Sequence, residues 1–232
     1  MSWPYPRIVA HRGGGALAPE NTLQALRLGA ARGFRGVEFD VMLAGDGTPV
    51  LIHDESTERT TGVKGDVPQL AFAELQRLGI PSFLQAARLC RELELWANVE
   101  IKPARGHERA TGEAVARMTL EAWRGAALAP VMSSFAIEAL EAARAAAPGA
   151  ALGYLVDAIP ADWGTTLRRL QCVALHCNHE KLDRDIARAV KRAGYGLLCW
   201  TVNEPARARE LLSWGVDCLV TDNLEAIGPD FG

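Results

Sequence analysis

The chain has 232 residues, enough for one domain with a large core. It is 49% hydrophobic and 23% charged with a formal net charge of −3, and its basic residues form no dense run, which argues against a nucleic-acid partner. The five cysteines include no Cys-x-x-Cys pair and sit mostly in apolar runs such as Leu197-Leu198-Cys199-Trp200, as buried thiols of a reducing compartment do.

The opening Met1 to Pro6 is too short and too polar for a signal peptide, and no apolar stretch is long enough to span a bilayer. The cytoplasm is the expected location, with no stable membrane insertion. Short apolar runs then alternate with longer amphipathic segments along the whole length. Strands are predicted at 7–11, 36–42, 95–101, 130–134, 151–156, 172–177, 196–202 and 217–221. Helices are predicted at about 22–32, 82–94, 107–124, 136–146, 161–170, 180–193 and 204–214. Asn21 and Gly33 are placed to cap and close the first helix, and Asn203 and Gly215 bracket the last. Eight strands, each followed by a helix, predict an α/β fold, a (β/α)₈ barrel, as one domain over 1–232.

One segment breaks the alternation. Val41 to His53 reads as strand, turn at Ala44-Gly45-Asp46-Gly47-Thr48, and antiparallel return strand. The return brings His53 back to about the level of Asp40 or Met42, at the carboxyl end of the second strand, where barrel active sites lie. Residues 54–81 continue as a polar loop with a short helix at 73–78, so a small insertion at about 42–81 is expected over the barrel mouth. Trp163 and Trp214 suit either a dimer face or packing between helices, and the oligomeric state stays open.

The chemistry concentrates at strand ends. Glu38 and Asp40 share one face of a strand, as do Asn98, Glu100 and Lys102 on its expected neighbour. Three carboxylates around one point suit a hard cation, Mg²⁺ or Ca²⁺, rather than zinc. The same acids would also serve as structural salt bridges to Arg12 and Lys102. His11 and His53, at the ends of the first strand and of the hairpin, converge on them and favour the metal site. Imidazole titrates near neutrality, so one can take a proton and the other give one. Arg12 and Lys102 beside a held cation suit an anionic substrate, with phosphate the leading candidate. His107 opens a helix and faces solvent on this reading; His176 and His179 flank Cys177, and no further ligand pair supports a zinc site there.

These residues carry a resemblance. His11-Arg12-Gly13, Ala18-Pro19-Glu20-Asn21-Thr22, Glu38-Phe39-Asp40-Val41, His53-Asp54, Arg59-Thr60-Thr61-Gly62 and Glu100-Ile101-Lys102-Pro103 are in the order found in the glycerophosphodiester phosphodiesterases. Ser133-Ser134-Phe135, Trp200-Thr201-Val202-Asn203, Gly215-Val216-Asp217 and Thr221-Asp222 extend it over nearly the whole chain. The resemblance implies a metal-dependent barrel that hydrolyses deacylated phospholipids, such as glycerophosphocholine, to sn-glycerol 3-phosphate and an alcohol. It implies that Glu38, Asp40 and Glu100 hold Mg²⁺ or Ca²⁺, that His11 and His53 are the acid–base pair, and that Arg12 and Lys102 bind the phosphoryl group. Phe135 and Trp200 would line the substrate pocket, with plain core packing as their alternative. Glu20 and Asn21 would brace the metal site from behind, or Asn21 would simply cap its helix. A phosphodiesterase of lysophospholipids and a non-catalytic ligand-binding barrel are the alternatives. The stretch after Leu78 is shorter than in relatives, so a smaller cap over the mouth is expected.

Overall fold

The computed structural model describes residues 3–232. Nine strands form one sheet: β1 (Ile8–Ala10), β2 (Gly36–Leu43), β3 (Pro49–Leu51), β4 (Trp96–Ile101), β5 (Val131–Ser134), β6 (Ala151–Val156), β7 (Ala174–Asn178), β8 (Gly196–Trp200) and β9 (Cys218–Thr221). All but β3 run parallel in the order β1-β9-β8-β7-β6-β5-β4-β2, and the pairing of β1 with β2 closes the ring. The expected barrel is therefore present. Its wall is packed by α1 (Leu23–Ala31), α4 (Phe83–Glu92), α5 (Glu108–Ala122), α6 (Ile137–Ala146), α7 (Trp163–Leu170), α8 (Arg184–Arg192) and α9 (Pro205–Ser213). One departure lies at the end: β9 is followed among the described residues by a turn, closed by Ile227 N–H on the Asn223 carbonyl at 2.9 Å, and not by a helix.

Parallel strands in register send paired residues to the same face, so the ladder identifies what fills the barrel. Glu38 pairs with Asn98, Asp40 with Glu100, and Glu100 with Ser133. Further round, Leu155 pairs with His176, and His176 with Leu198. The lower interior is apolar, built on Val9, Trp96, Val131, Leu198, Cys218 and Val220. Trp3 and Tyr5 pack on Trp96 and plug the amino-terminal end, with Tyr5 stacked on Trp96 at 4.8 Å. Glu38, Asp40 and Glu100 lie above this layer, toward the carboxyl-terminal ends of their strands, so the core positions the site by filling the space beneath it.

The hairpin forms as expected. Ala44 N–H bonds the Thr48 carbonyl at 2.9 Å, and β3 pairs antiparallel with β2 through Val41 and Leu51. Ile52 N–H then reaches the Asp40 carbonyl at 3.2 Å, so His53 lies one step beyond, beside Phe39 and Asp40. The loop after it carries α2 (Glu58–Thr61) and α3 (Phe72–Arg77). It is less polar inside than its sequence suggests: Val67, Leu75 and Ile80 bury against Met42, Val50, Ile52 and Ala104 as a small core of their own. That core fixes the insertion to the barrel without a long linker.

Two expected caps do other work. The N-cap of α1 is Thr22, whose hydroxyl accepts from Ala25 N–H at 3.1 Å, leaving Asn21 free for the site. Asn203 does not cap α9; its side-chain oxygen accepts from Asp222 N–H at 2.8 Å. Gly33 and Gly215 close their helices with φ of +85° and +93°, as placed. Trp163 packs edge-on to Tyr195 at 6.2 Å, and Trp214 lies under the Arg207 guanidinium at 4.7 Å, so both tryptophans are engaged within the chain.

Candidate active site

The loop from β1 to α1 is held in an unusual backbone. Arg12 (φ +49°) and Asn21 (φ +57°) both adopt the left-handed region that L side chains rarely occupy. Gly15, at φ +53°, approaches the end of β9 so closely that a Cβ would lie 2.4 Å from the Asp222 carbonyl oxygen. Strain of this kind persists only where the surroundings over-determine it. Here it turns the Arg12 N–H onto Glu38 Oε2 at 3.1 Å. Asn21 is brought under Asp40, donating to Oδ2 at 2.8 Å and accepting from Asp40 N–H at 3.1 Å.

The three acids converge as predicted. Glu38, Asp40 and Glu100 are 5%, 1% and 9% exposed, and each offers an oxygen within 4.8 Å of the others. Burial, chiefly, together with the charge on Asp40, pushes Glu38 up to about 7 and Glu100 up to about 8. Arg12 Nε stands 3.5 Å from Asp40, and Lys102 Nζ 3.0 Å from Glu100 and 3.8 Å from Asp40. Two bases do not fully offset three buried carboxylates, so the donor set retains a need for positive charge, and its oxygen-only chemistry fits a hard divalent cation. The salt-bridge alternative is thus half realised: the ion pairs exist, yet leave Glu38 and Glu100 with raised proton affinity.

The two histidines are each backed by a carboxylate. His11 Nδ1 lies 2.7 Å from Asp222 Oδ1, and its Nε2 is turned toward Glu38 Oε2 at 3.8 Å. Burial lowers the His11 pKa, but the Asp222 hydrogen bond and the charges of Glu38 and Asp222 outweigh it, and the net direction is upward. His53 Nδ1 lies 2.5 Å from Asp54 Oδ1, and its Nε2 is 2.9 Å from Lys102 Nζ. An ammonium donates and cannot accept, so this contact requires an unprotonated Nε2 and places the His53 proton on Nδ1. The Arg59 hydrogen bond, chiefly, and that of His53 hold Asp54 down at about 2.

Three partners escaped the sequence reading. Asp54, Asp222 and Arg59 stood within recognisable motifs but received no role. Arg59 Nε donates to Asp54 at 2.5 Å while its two terminal nitrogens donate to Glu20 at 2.8 Å each. Glu20 also accepts from Arg12 at 2.7 Å. Glu20 thus reaches the acids through Arg12, which stands 3.5 Å from Asp40. The available signal for Asp54 was its adjacency to His53, and for Asp222 its place at the end of the last strand.

Phe135 is not core: it is 41% exposed at the mouth, edge-on to Trp200 at 5.6 Å, with Lys102 Nζ over its ring at 5.7 Å. The two aromatics, Lys102 and the three acids line one cavity of about 300 Å³. His107 is exposed at the start of α5, as expected. His176 is fully buried inside the barrel while His179 sits in the turn after β7, and the potential metal cluster found among the described residues is the acidic triad.

Fold and mouth together define a (β/α)₈-barrel enzyme, with acids, bases and paired histidines gathered where its strands end. The sequence model of the glycerophosphoryl diester phosphodiesterase family matches residues 11–226, and the chain belongs to that family. A glycerophosphodiester phosphodiesterase of Caldanaerobacter subterraneus subsp. tengcongensis is 27% identical over 238 residues, covering 95% of each chain. Human glycerophosphodiester phosphodiesterase 1 is 36% identical over 135 residues, 51% of this chain and 40% of its own. Among solved structures, a phosphodiesterase of Oleispira antarctica in complex with its product sn-glycerol-3-phosphate superposes with a TM-score of 0.87 at 35% identity, covering 94% of both chains. No helix among the described residues is long and apolar enough to cross a membrane.

Proposed function

We propose that residues 1–232 act as one catalytic domain that hydrolyses glycerophosphodiesters to sn-glycerol 3-phosphate and an alcohol, using a divalent cation and the pair His11 and His53. The observation that carries the reading is the convergence of Glu38, Asp40 and Glu100 between two carboxylate-backed histidines. Glu38, Asp40 and Glu100 would hold Mg²⁺ or Ca²⁺, which when bound supplies Lewis-acid neutralisation of phosphoryl oxygens. Arg12 and Lys102 bind the remaining phosphoryl charge, and Phe135 and Trp200 wall the glycerol side.

His53 Nε2, already an acceptor toward Lys102, takes the proton of the attacking hydroxyl, either water or the glycerol 2-hydroxyl. A P–O bond forms to that oxygen, and the P–O bond to the alcohol breaks. The departing oxygen receives the proton of His11, whose protonated form Asp222 favours. If the 2-hydroxyl attacks, water opens the cyclic phosphate by the same two transfers in reverse. Asp54 and Asp222 keep each imidazole in the tautomer its role demands. The five cysteines are buried and unpaired, which supports a reducing compartment such as the cytoplasm.

Release of glycerol 3-phosphate from glycerophosphocholine and glycerophosphoethanolamine, with Mg²⁺, with Ca²⁺ and with excess EDTA, tests this reading. Metal-dependent release that disappears in His11→Ala and Glu38→Ala is the expected result. Release that persists in EDTA or in Glu38→Ala would overturn the metal assignment, and release that persists in His11→Ala would overturn the acid–base assignment.

A further inference from the structure

A second cavity, of about 630 Å³, opens on the other side of the histidines. It is bounded by the β1–α1 loop, from Gly15 to Thr22, and by two parts of the insertion, Arg59 to Thr61 and Leu78 to Ile80. The residues common to both cavities are His11, Arg12 and His53. On the proposed function these are the proton donor, a phosphoryl ligand and the proton acceptor, so the phosphorus sits at the boundary between the two spaces. A diester has two arms. The smaller cavity, with the acids, Lys102, Phe135 and Trp200, takes the glycerol arm. The other arm has one direction left.

We propose that the larger cavity is the subsite for the departing alcohol, and that it selects bulky, uncharged alcohols by shape, not cationic head groups by charge. The inference rests on the proposed function and deepens it. Its carrying observation is the state of the charges on the cavity wall. Glu20 is occupied by Arg12 and by both terminal nitrogens of Arg59. Asp222 is occupied by His11 and by Asn203, and Arg59 also holds Asp54. No carboxylate is left to pair with an ammonium, and the wall includes no aromatic ring to cradle one. Between these pairs the wall is uncharged and mixed, with Ala16, Ala18 and Pro19 on one side, Leu78 and Ile80 on the other, and the hydroxyls of Thr22, Thr60 and Thr61 among them. The insertion contributes directly, because Leu78 and Ile80 come from its end, just ahead of α4.

The test uses the metal-loaded full chain with glycerophosphoinositol, whose ring alcohol is uncharged and large, and glycerophosphoethanolamine, whose alcohol is small and cationic. For the unaltered protein, kcat/KM for the inositol ester equals or exceeds that for the ethanolamine ester. Ala16→Trp at the exposed rim and Leu78→Trp on the facing wall each lower the inositol-to-ethanolamine ratio of kcat/KM at least tenfold. The inhibition constant of glycerol 3-phosphate, which occupies the other cavity, moves less than twofold. An unchanged ratio in both variants, or a preference for the ethanolamine ester that fades with salt, would overturn the subsite. Failure of the unaltered protein to release glycerol 3-phosphate from either ester would instead bring down the proposed function itself.

Discussion

Lys102 Nζ lies 2.9 Å from His53 Nε2 and 3.0 Å from Glu100 Oε1, so one ammonium ties the candidate base to a candidate metal ligand. The contact occupies the lone pair that His53 needs for proton transfer. A phosphoryl oxygen arriving beside Lys102 offers the ammonium a charged acceptor in place of a neutral one, and frees Nε2 as the substrate seats. On the proposed function, binding and activation of the base would be linked through one side chain. The first prediction follows: Lys102→Met loses a charge-assisted hydrogen bond worth about 1.5–3 kcal/mol. Steady-state kinetics on glycerophosphocholine should show kcat/KM reduced about 10–100-fold, at about 1.4 kcal/mol per tenfold. An unchanged kcat/KM would remove Lys102 from the phosphoryl site.

Arg59 is a positioning residue on this geometry. It touches neither the acids nor either imidazole, yet it holds Asp54 behind His53 and Glu20 behind Arg12. Its side chain is 48% exposed, so its ion pairs add no more than about 1 kcal/mol to folding. Arg59→Gln should therefore leave the thermal midpoint nearly unchanged and reduce kcat about tenfold or more. Arg59→Lys, a point charge that cannot span both carboxylates, should recover only part of the loss. A purely structural residue would move the midpoint and leave kcat alone.

Asn21 shows where the sequence was legible and where it was not. Glu38, Asp40 and Glu100 could be placed because strand periodicity sends alternate residues to one face, and their pairing in register follows from parallel neighbours. The return of His53 followed from a turn whose Asp46-Gly47 chemistry is local. Asn21 had a local explanation too, as a helix cap, and local reasoning had no means of preferring the distant one. Its role depends on a left-handed backbone at φ +57° and on contact with a strand 19 residues away. The Asp54–Arg59–Glu20–Arg12 chain was unreadable for the same reason, since it joins the insertion to the β1–α1 loop.

Asn21 also yields a clean experiment. Asn21→Gly tolerates the positive φ but removes both hydrogen bonds to Asp40, so it isolates the side chain from the backbone strain. Groups that orient a metal ligand from behind typically contribute about 10–100-fold in metal affinity. Calorimetric titration with Mg²⁺ or Ca²⁺ should show a loss in that range for Asn21→Gly. Asn21→Ala should lose as much and also be less stable, because Ala is strained at this φ. Equal metal affinity in the glycine variant and the unaltered protein would reduce Asn21 to a loop residue.

His176 makes the protein's stability depend on acid independently of the site. It is fully buried inside the barrel, over Gly153 and between Leu155 and Leu198 on neighbouring strands, and burial pushes it down to about 3. Neither ring nitrogen has a hydrogen-bond partner among the described residues. In the unfolded chain the imidazole returns to about 6.5. Between these two values the unfolded state binds a proton that the folded state refuses, so stability rises with pH across the window and is lost as pH falls from about 6.5 toward 3. The slope is about 1.4 kcal/mol per pH unit for one proton. His176→Leu keeps the volume roughly and removes the titration. Urea unfolding at pH 6 and pH 4 should then show the unaltered protein losing about 2–3 kcal/mol more than the variant over those two units. Parallel losses would mean that the imidazole takes up its proton in the folded state, inside a barrel that has opened to water around it.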